Sequence, residues 1–208
     1  ALVAAWAARA LPAAPRGQAA PTRRGSLRPL WPSLLANALY GAGYVGYTTF
    51  VVALLRQQGH GSLATSLFFS ALGLASMLAS PLWGQALARL RVGWGFALVC
   101  ACVAVGSVPV LLSSALPWLA LSALVFGASF MAGPAAVSLA AQKVLPTPLL
   151  ATGLGALTAA FSLGQSLGPL AAGWIADTTG RLEGGLWLGP ALLLLAGLVS
   201  LRQGPARA

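Results

Sequence analysis

Six long apolar runs, separated by short polar breaks, organise this chain. The clearest lies between Arg28 and Arg56, where 27 residues carry no charge. An α-helix rises about 1.5 Å per residue, so about 20 apolar residues cross the hydrocarbon core of a bilayer. The stretch from Trp31 to Leu55 is therefore a spanning helix with length to spare. A second run extends from about Leu63 to Leu87, after the polar loop Arg56 to Ser62 and before Arg89 and Arg91. Residues 92–142 hold no charge, which is too long for one helix. Ser113-Ser114-Ala115-Leu116-Pro117 divides them into a third span, about 94–112, and a fourth, about 118–140. Lys143 to Pro148 forms a loop, and a fifth span runs from Leu149 to Ala176. The polar segment Asp177 to Gly185 then precedes a sixth span over 186–201. The pattern predicts an all-α integral membrane protein with a six-helix transmembrane bundle over residues 30–203 and a short tail, 204–208.

Polar residues inside the first span are not scattered. Asn37, Tyr40, Tyr44, Tyr47 and Thr48 recur at spacings of three and four, which places them on one helix face. Ala38, Ala42 and Gly46 form a second stripe, small at every fourth position, that lets a neighbouring helix approach closely. A helix surrounded by lipid needs neither stripe, so this one reads as the wall of a polar cavity inside a bundle.

Composition and charge set the class and the orientation. Hydrophobic residues make up 58% of the chain and charged ones only 7%, against about 25% charged in soluble domains. The net charge of +10 would suggest nucleic acid in a soluble protein. Here the basic residues sit between apolar spans and no nucleic-acid-binding motif accompanies them, so nucleic acid is not a partner. Loops on one side hold Arg9, Arg16, Arg23, Arg24, Arg28, Arg89, Arg91, Lys143, Arg202 and Arg207, and loops on the other hold Arg56 and Arg181. That bias predicts that both chain ends are cytoplasmic. Residues 1–29 read as the end of a preceding helix (Ala1 to Ala8) followed by a flexible basic linker rich in Pro, Gly and Ser. The apolar start lacks a charged leader region, so the chain is expected to be a fragment of something longer.

An internal repeat is also present. Tyr40-Gly41-Ala42-Gly43-Tyr44-Val45-Gly46 echoes Phe126-Gly127-Ala128-Ser129-Phe130-Met131-Ala132, at an offset of 86. Leu63-Ala64-Thr65-Ser66-Leu67 echoes Leu150-Ala151-Thr152-Gly153-Leu154, at 87, and Pro81-Leu82 echoes Pro169-Leu170, at 88. Three spans per copy is odd, so the second copy is inverted in the membrane, as in the 3+3 inverted repeats of secondary transporters.

With these features the chain resembles the C-terminal half of a major facilitator superfamily (MFS) transporter over roughly residues 30–203. The run GAGYVGYTTFVVALLR is similar to the seventh helix of the bacterial YbfB/YjiJ-type branch. The superfamily's loop signature, G-x-x-x-D-R-x-G-R, has two weakened copies. One keeps Gly84 and Arg89 but has Ala88 in the aspartate position; the other keeps Gly173, Asp177, Gly180 and Arg181 but has Thr178 in the first basic position. These residues are the gating-loop candidates, although Arg89 and Arg91 also serve as plain topology anchors. The resemblance implies half of a twelve-helix fold in a bacterial inner (plasma) membrane, working with an N-terminal six-helix half. It implies secondary active transport of a small solute by alternating access. In the superfamily the first, second, fourth and fifth helices of a half line the cavity or the interface between halves, and the third and sixth face lipid. The third and sixth spans here are almost purely apolar, in keeping with that arrangement.

The cavity candidates are therefore Asn37, Tyr40, Tyr44, Tyr47 and Thr48 on the first span, with Ser129 and Pro134 on the fourth. The fifth adds Thr158, Ser162, Gln165 and Ser166, which share one face with Pro169. Ser122, Ser129 and Gly133 line up on the fourth span, and Ser66, Ser70, Gly73 and Ser80 on the second. Pro134 removes a backbone hydrogen bond, and the carbonyl it frees needs a cavity or a partner group. Hydroxyls in membrane helices also bond to their own i−4 carbonyl or join helices, which is the alternative for each serine and threonine. No Asp, Glu, Lys, Arg or His lies in the body of any span, so an ion-coupling group would belong to the other half. The two acidic residues, Asp177 and Glu183, share one loop with no nucleophile–base pair, which argues against an enzyme. Cys100 and Cys102 point to nearly opposite helix faces and His60 stands alone in a loop, so neither a metal nor a cofactor is expected. A non-transporting bundle that anchors or assembles other subunits is the other class open to such a chain.

Overall fold

The computed structural model describes residues 26–204. The expected end of a preceding helix, most of the basic linker and the last four residues, including Arg207, lie outside them. A single 3-10 turn at Arg28–Leu30 leads into α1 (Trp31–Gln57). There follow α2 (Ser62–Met77), α3 (Ala79–Arg89), α4 (Trp94–Ser107), α5 (Pro109–Leu112), α6 (Leu116–Phe130), α7 (Ala132–Val144), α8 (Thr147–Thr179) and α9 (Leu182–Ser200). α4 with α5 and α6 with α7 each act as one span, as do α1, α8 and α9, and the pair α2/α3, bent by 45°, makes the sixth.

Prolines explain where the spans break. A proline has no N–H for the i−4 carbonyl, and its ring crowds that carbonyl. The second span breaks at Leu78 and the fourth at Met131, in both cases three residues before a proline, Pro81 and Pro134. The third breaks at Val108, directly before Pro109. α8 carries Pro169 without interruption.

The packing follows the internal repeat. The first span packs against the fifth and sixth, and the fourth correspondingly packs against the second and third. The third and sixth pack against each other, while the contact between fifth and sixth has only a slight counterpart between second and third. Residue detail agrees with the offset of 86. A methyl added to Gly41 would lie 2.6 Å from the Phe161 carbonyl oxygen on the fifth span, and one on Gly127 would lie 2.5 Å from that of Leu72 on the second. Each repeat thus opens on a helix whose glycine lets the middle helix of the other repeat touch its backbone.

One expectation needs correction. The third span is not mainly lipid-facing: 56% of its apolar 18-residue stretch is buried inside the bundle, against 17% of the corresponding stretch of α8. A narrow edge, Trp94, Leu98, Val105 and Leu112, stays exposed, while Val99, Val103 and Val110 lie in the core. An apolar side chain gains little from lipid over protein, so apolar composition cannot separate the two surroundings. The sixth span does keep an outer row of exposed Leu194, Leu195 and Leu198.

Candidate functional site

The site grows from the crossing of α1 and α8. The stripe of Ala38, Ala42 and Gly46 meets Gly164 and Gly168, and a methyl on either glycine would land on the carbonyl of Ala38 or Ala42. Such backbone contact leaves no room for side chains along the seam. Polar groups therefore gather at its edges.

Along one edge Asn37 is buried and its Nδ2 donates to the Leu157 carbonyl at 2.9 Å. Beside it lies a cavity of about 370 Å³ between α1, α7 and α8, lined in part by Asn37, Pro134, Ser138, Thr158 and Phe161. One turn along α8, Gln165 Nε2 donates to the Tyr44 hydroxyl at 2.9 Å. The Tyr44 ring stacks on Phe161, with centroids 5.8 Å apart and planes 12° from parallel, and Phe130 approaches it at 5.9 Å. The arrangement joins a flat aromatic surface to an amide and hydroxyls, with no charged group among the lining residues. It suits hydrogen bonding and stacking rather than ion pairing.

The three tyrosines do not act alike. Tyr40 and Tyr47 are buried, and only Tyr44 is half-exposed. At about 100° per residue, positions 40 and 47 fall within about 20° of each other while 44 stands about 40° from one and 60° from the other. Tyr44 consequently faces α8, and its companions face the core.

The hydroxyls of those companions are committed within the fold. Pro134 leaves the Phe130 carbonyl without its helical donor, and the Tyr40 hydroxyl donates to that carbonyl. Gly133 makes this possible, since a methyl there would lie 2.6 Å from the Tyr40 ring. Ser122 donates to the Gly106 carbonyl at 2.6 Å, so its one hydroxyl hydrogen is used. The Tyr47 hydroxyl, 2.8 Å away, must therefore be the donor to Ser122. Ser129 is buried as well.

On α8, Thr158, Ser162 and Ser166 are exposed along the face not covered by other helices. Thr158 and Ser166 bond back to the carbonyls of Leu154 and Ser162, as Thr48 does to Tyr44. Such a bond occupies the hydrogen but leaves the oxygen lone pairs to accept. Ser66, Ser70, Gly73 and Ser80 of the second span are likewise exposed. The repeat-related second and fifth spans thus both carry an uncovered polar stripe.

The gating-loop candidates are spread over both ends of the bundle. Nothing packs around Gly84, and Arg89 is exposed. Ala88, in the aspartate position, offers its carbonyl to Lys143 Nζ at 3.3 Å, as Leu90 does at 3.0 Å. At the opposite end Gly180 ends α8 with φ +66°, a left-handed conformation suited to glycine. Arg181 pairs there with Glu183 at 3.6 Å, Asp177 is exposed, and Gly173 lies against Phe50.

Sequence reasoning passed over Ser138, Phe161 and Trp83. Ser138 lies one turn beyond Pro134 on the same face, and Phe161 lies within the polar stripe between Thr158 and Gln165, so their spacing held the signal. Trp83 donates to the Ala128 carbonyl at 2.9 Å beside the kink of the fourth span, and no spacing within one helix indicates that partner.

The sequence profile of the family described as "Uncharacterised MFS-type transporter YbfB" matches residues 1–201. Among curated proteins, none matches the chain.

Proposed function

Because the chain belongs to the YbfB-type family of MFS transporters, we propose that it is the C-terminal half of a secondary active transporter that moves a small solute by alternating access. The observation that carries this reading is the uncovered polar face of α8 beside the cavity at Asn37, Ser138 and Thr158. Polar stripes facing lipid are costly, so that face calls for water, a solute or a second six-helix half. The neutral lining and the Tyr44–Phe161 stack favour a small neutral, aromatic or amphipathic solute. Coupling to an ion, if the carrier uses one, falls to groups outside this bundle, since proton and ion relays in membranes rely on ionisable side chains. In this reading the membrane is the bacterial inner membrane. The end that gathers Arg28, Arg89, Arg91, Lys143 and Arg202 faces the cytoplasm.

Side-specific cysteine labelling tests the proposal without knowledge of the solute. In a full-length transporter with Cys100 and Cys102 replaced, Thr158→Cys and Ser162→Cys should react with an impermeant maleimide in both right-side-out and inverted vesicles. Gln57→Cys should react only from outside. Absence of labelling at 158 and 162 from either side would place that stripe in lipid and end the reading.

A further inference from the structure

At the end of the bundle where the first span begins and the sixth ends, a basin of about 1140 Å³ opens between the starts of α1 and α8 and the ends of α7 and α9. Arg28, Lys143 and Arg202 line it, with Trp31, Pro146 and Gln203. The sequence holds two side-chain carboxylates, Asp177 and Glu183, and both lie at the opposite end. Among the described residues the one ion pair is Arg181 with Glu183. Three cations thus line one basin where no acidic side chain of this chain can neutralise them. Residues 1–25 add further arginines and no acid.

The basin is built rather than incidental. Gln203 is buried, accepts from the Ser33 hydroxyl at 2.8 Å and donates to the Pro29 carbonyl at 2.8 Å, fixing the end of the sixth span against the start of the first. Lys143 directs hydrogen bonds to Ala88 and Leu90, and an ammonium has three donors, so one remains. Trp31 at the rim is 51% exposed and Leu35, one turn deeper, 45%. An aromatic ring at the interface above an exposed leucine makes a track for an acyl chain.

We propose that this basin binds one anionic phospholipid. Its phosphodiester headgroup is held by Arg28, Lys143 and Arg202, and one acyl chain lies along Trp31 and Leu35. Guanidinium groups suit the purpose because they contact phosphate oxygens in pairs. The inference holds whichever solute the carrier moves.

Native mass spectrometry of the purified full chain, delipidated and titrated with phosphatidylglycerol, tests it. One phosphatidylglycerol should bind with clear preference over phosphatidylcholine. Arg28→Gln and Arg202→Gln should each weaken it about fivefold, and together about 25-fold, from the worth of one basic residue at an anionic surface. Arg56→Gln, at the other end, should change nothing. Arg28→Lys and Arg202→Lys keep the charge but lose the paired contacts, so each should bind more weakly than the unaltered chain and more tightly than its glutamine counterpart, which supplies the comparison if the double glutamine variant does not fold. Inorganic phosphate in large excess should not displace the lipid. Displacement by inorganic phosphate would make this a free-anion site and overturn the lipid assignment. Equal retention of phosphatidylcholine, or unchanged binding in the glutamine variants, would overturn the headgroup site itself.

Discussion

Ser122 on α6 and Ser162 on α8 are the same side chain on two apolar helices, yet they sit in opposite surroundings. Ser122 is fully buried between Tyr47 and the Gly106 carbonyl, a short chain of hydrogen bonds that joins three spans. Ser162 is exposed on a helix whose fully buried residues are confined to Gly153, Leu157, Gly164, Gly168 and Ala172. The same division separates Tyr40 and Tyr47 from Tyr44. A polar residue in a membrane helix is structural when a neighbouring helix closes over it, and available for a ligand when none does. Residue type and periodicity are alike in both cases. Coverage decides.

The largest effects fall where coverage is tightest. Gly164→Leu drives a side chain into the Ala38 backbone, where neither helix can yield without parting. It should cost more than about 3 kcal/mol, beyond ordinary overpacking in a side-chain core. Gly155→Leu, on the open side of the same helix with nothing within 4 Å, should change stability by less than about 0.5 kcal/mol. Folded yield by size exclusion and thermal unfolding in detergent compare the two. Equal losses would mean that α8 is not divided into a covered and an open face.

Next comes the kink of the fourth span. Tyr40→Phe leaves the Phe130 carbonyl with no donor and should destabilise by about 1–3 kcal/mol, the cost of an unsatisfied buried group. In a Pro134→Ala background the backbone N–H returns, and the same substitution should cost under about 1 kcal/mol. The four-variant cycle isolates that coupling. If Tyr40→Phe costs the same in both backgrounds, the hydroxyl is not standing in for the missing amide.

The two serines themselves give a smaller contrast. Ser122→Ala strands both the Tyr47 hydroxyl and the Gly106 carbonyl and should cost about 1–3 kcal/mol. Ser162→Ala should stay within about 0.5 kcal/mol, as exposed substitutions do. Chemical denaturation in mixed micelles reads both.

Much of the fold was legible because charge is scarce. Runs without charge mark the spans, and Arg56, Arg89, Arg91 and Lys143 mark their ends to within a few residues. The small stripe Ala38, Ala42 and Gly46 correctly announced a close helix neighbour, since only backbone contact requires so little bulk. The repeat was legible too, and the pairwise packing of spans follows it. The candidate site was less so. Helical periodicity places Tyr40, Tyr44 and Tyr47 on one broad arc, but it says nothing of which neighbour covers which part. Pro134 signalled a freed carbonyl, yet its donor lies 90 residues away on another span. The third span read as lipid-facing because lipid and protein core select the same side chains. Each gap concerns a relation between helices, which no single-helix pattern contains.

The finest contrast is within the tyrosine arc itself. Tyr44 lies where the covered region meets the open one: its ring is stacked against Phe161, while its hydroxyl accepts from Gln165 on a half-exposed edge. Tyr44→Phe keeps the stack and removes one hydrogen-bond acceptor. Because water or solute can serve Gln165 in its place, stability should change by about 0.5 kcal/mol or less, unlike Tyr40→Phe. If the hydroxyl and the Gln165 amide together meet the solute, apparent affinity for transport should weaken by about 0.5–1.5 kcal/mol, the net worth of one neutral hydrogen bond. Tyr44→Ala should weaken it further by removing the stacking surface. Gln165→Ala should match Tyr44→Phe and add little to it, because the two groups act as a pair. Initial uptake rates in the full-length transporter, normalised to the amount in the membrane, measure all four variants. A Tyr44→Ala variant with unchanged affinity and rate would assign the whole tyrosine arc to packing. The solute contacts would then rest on the exposed hydroxyls of α8 alone.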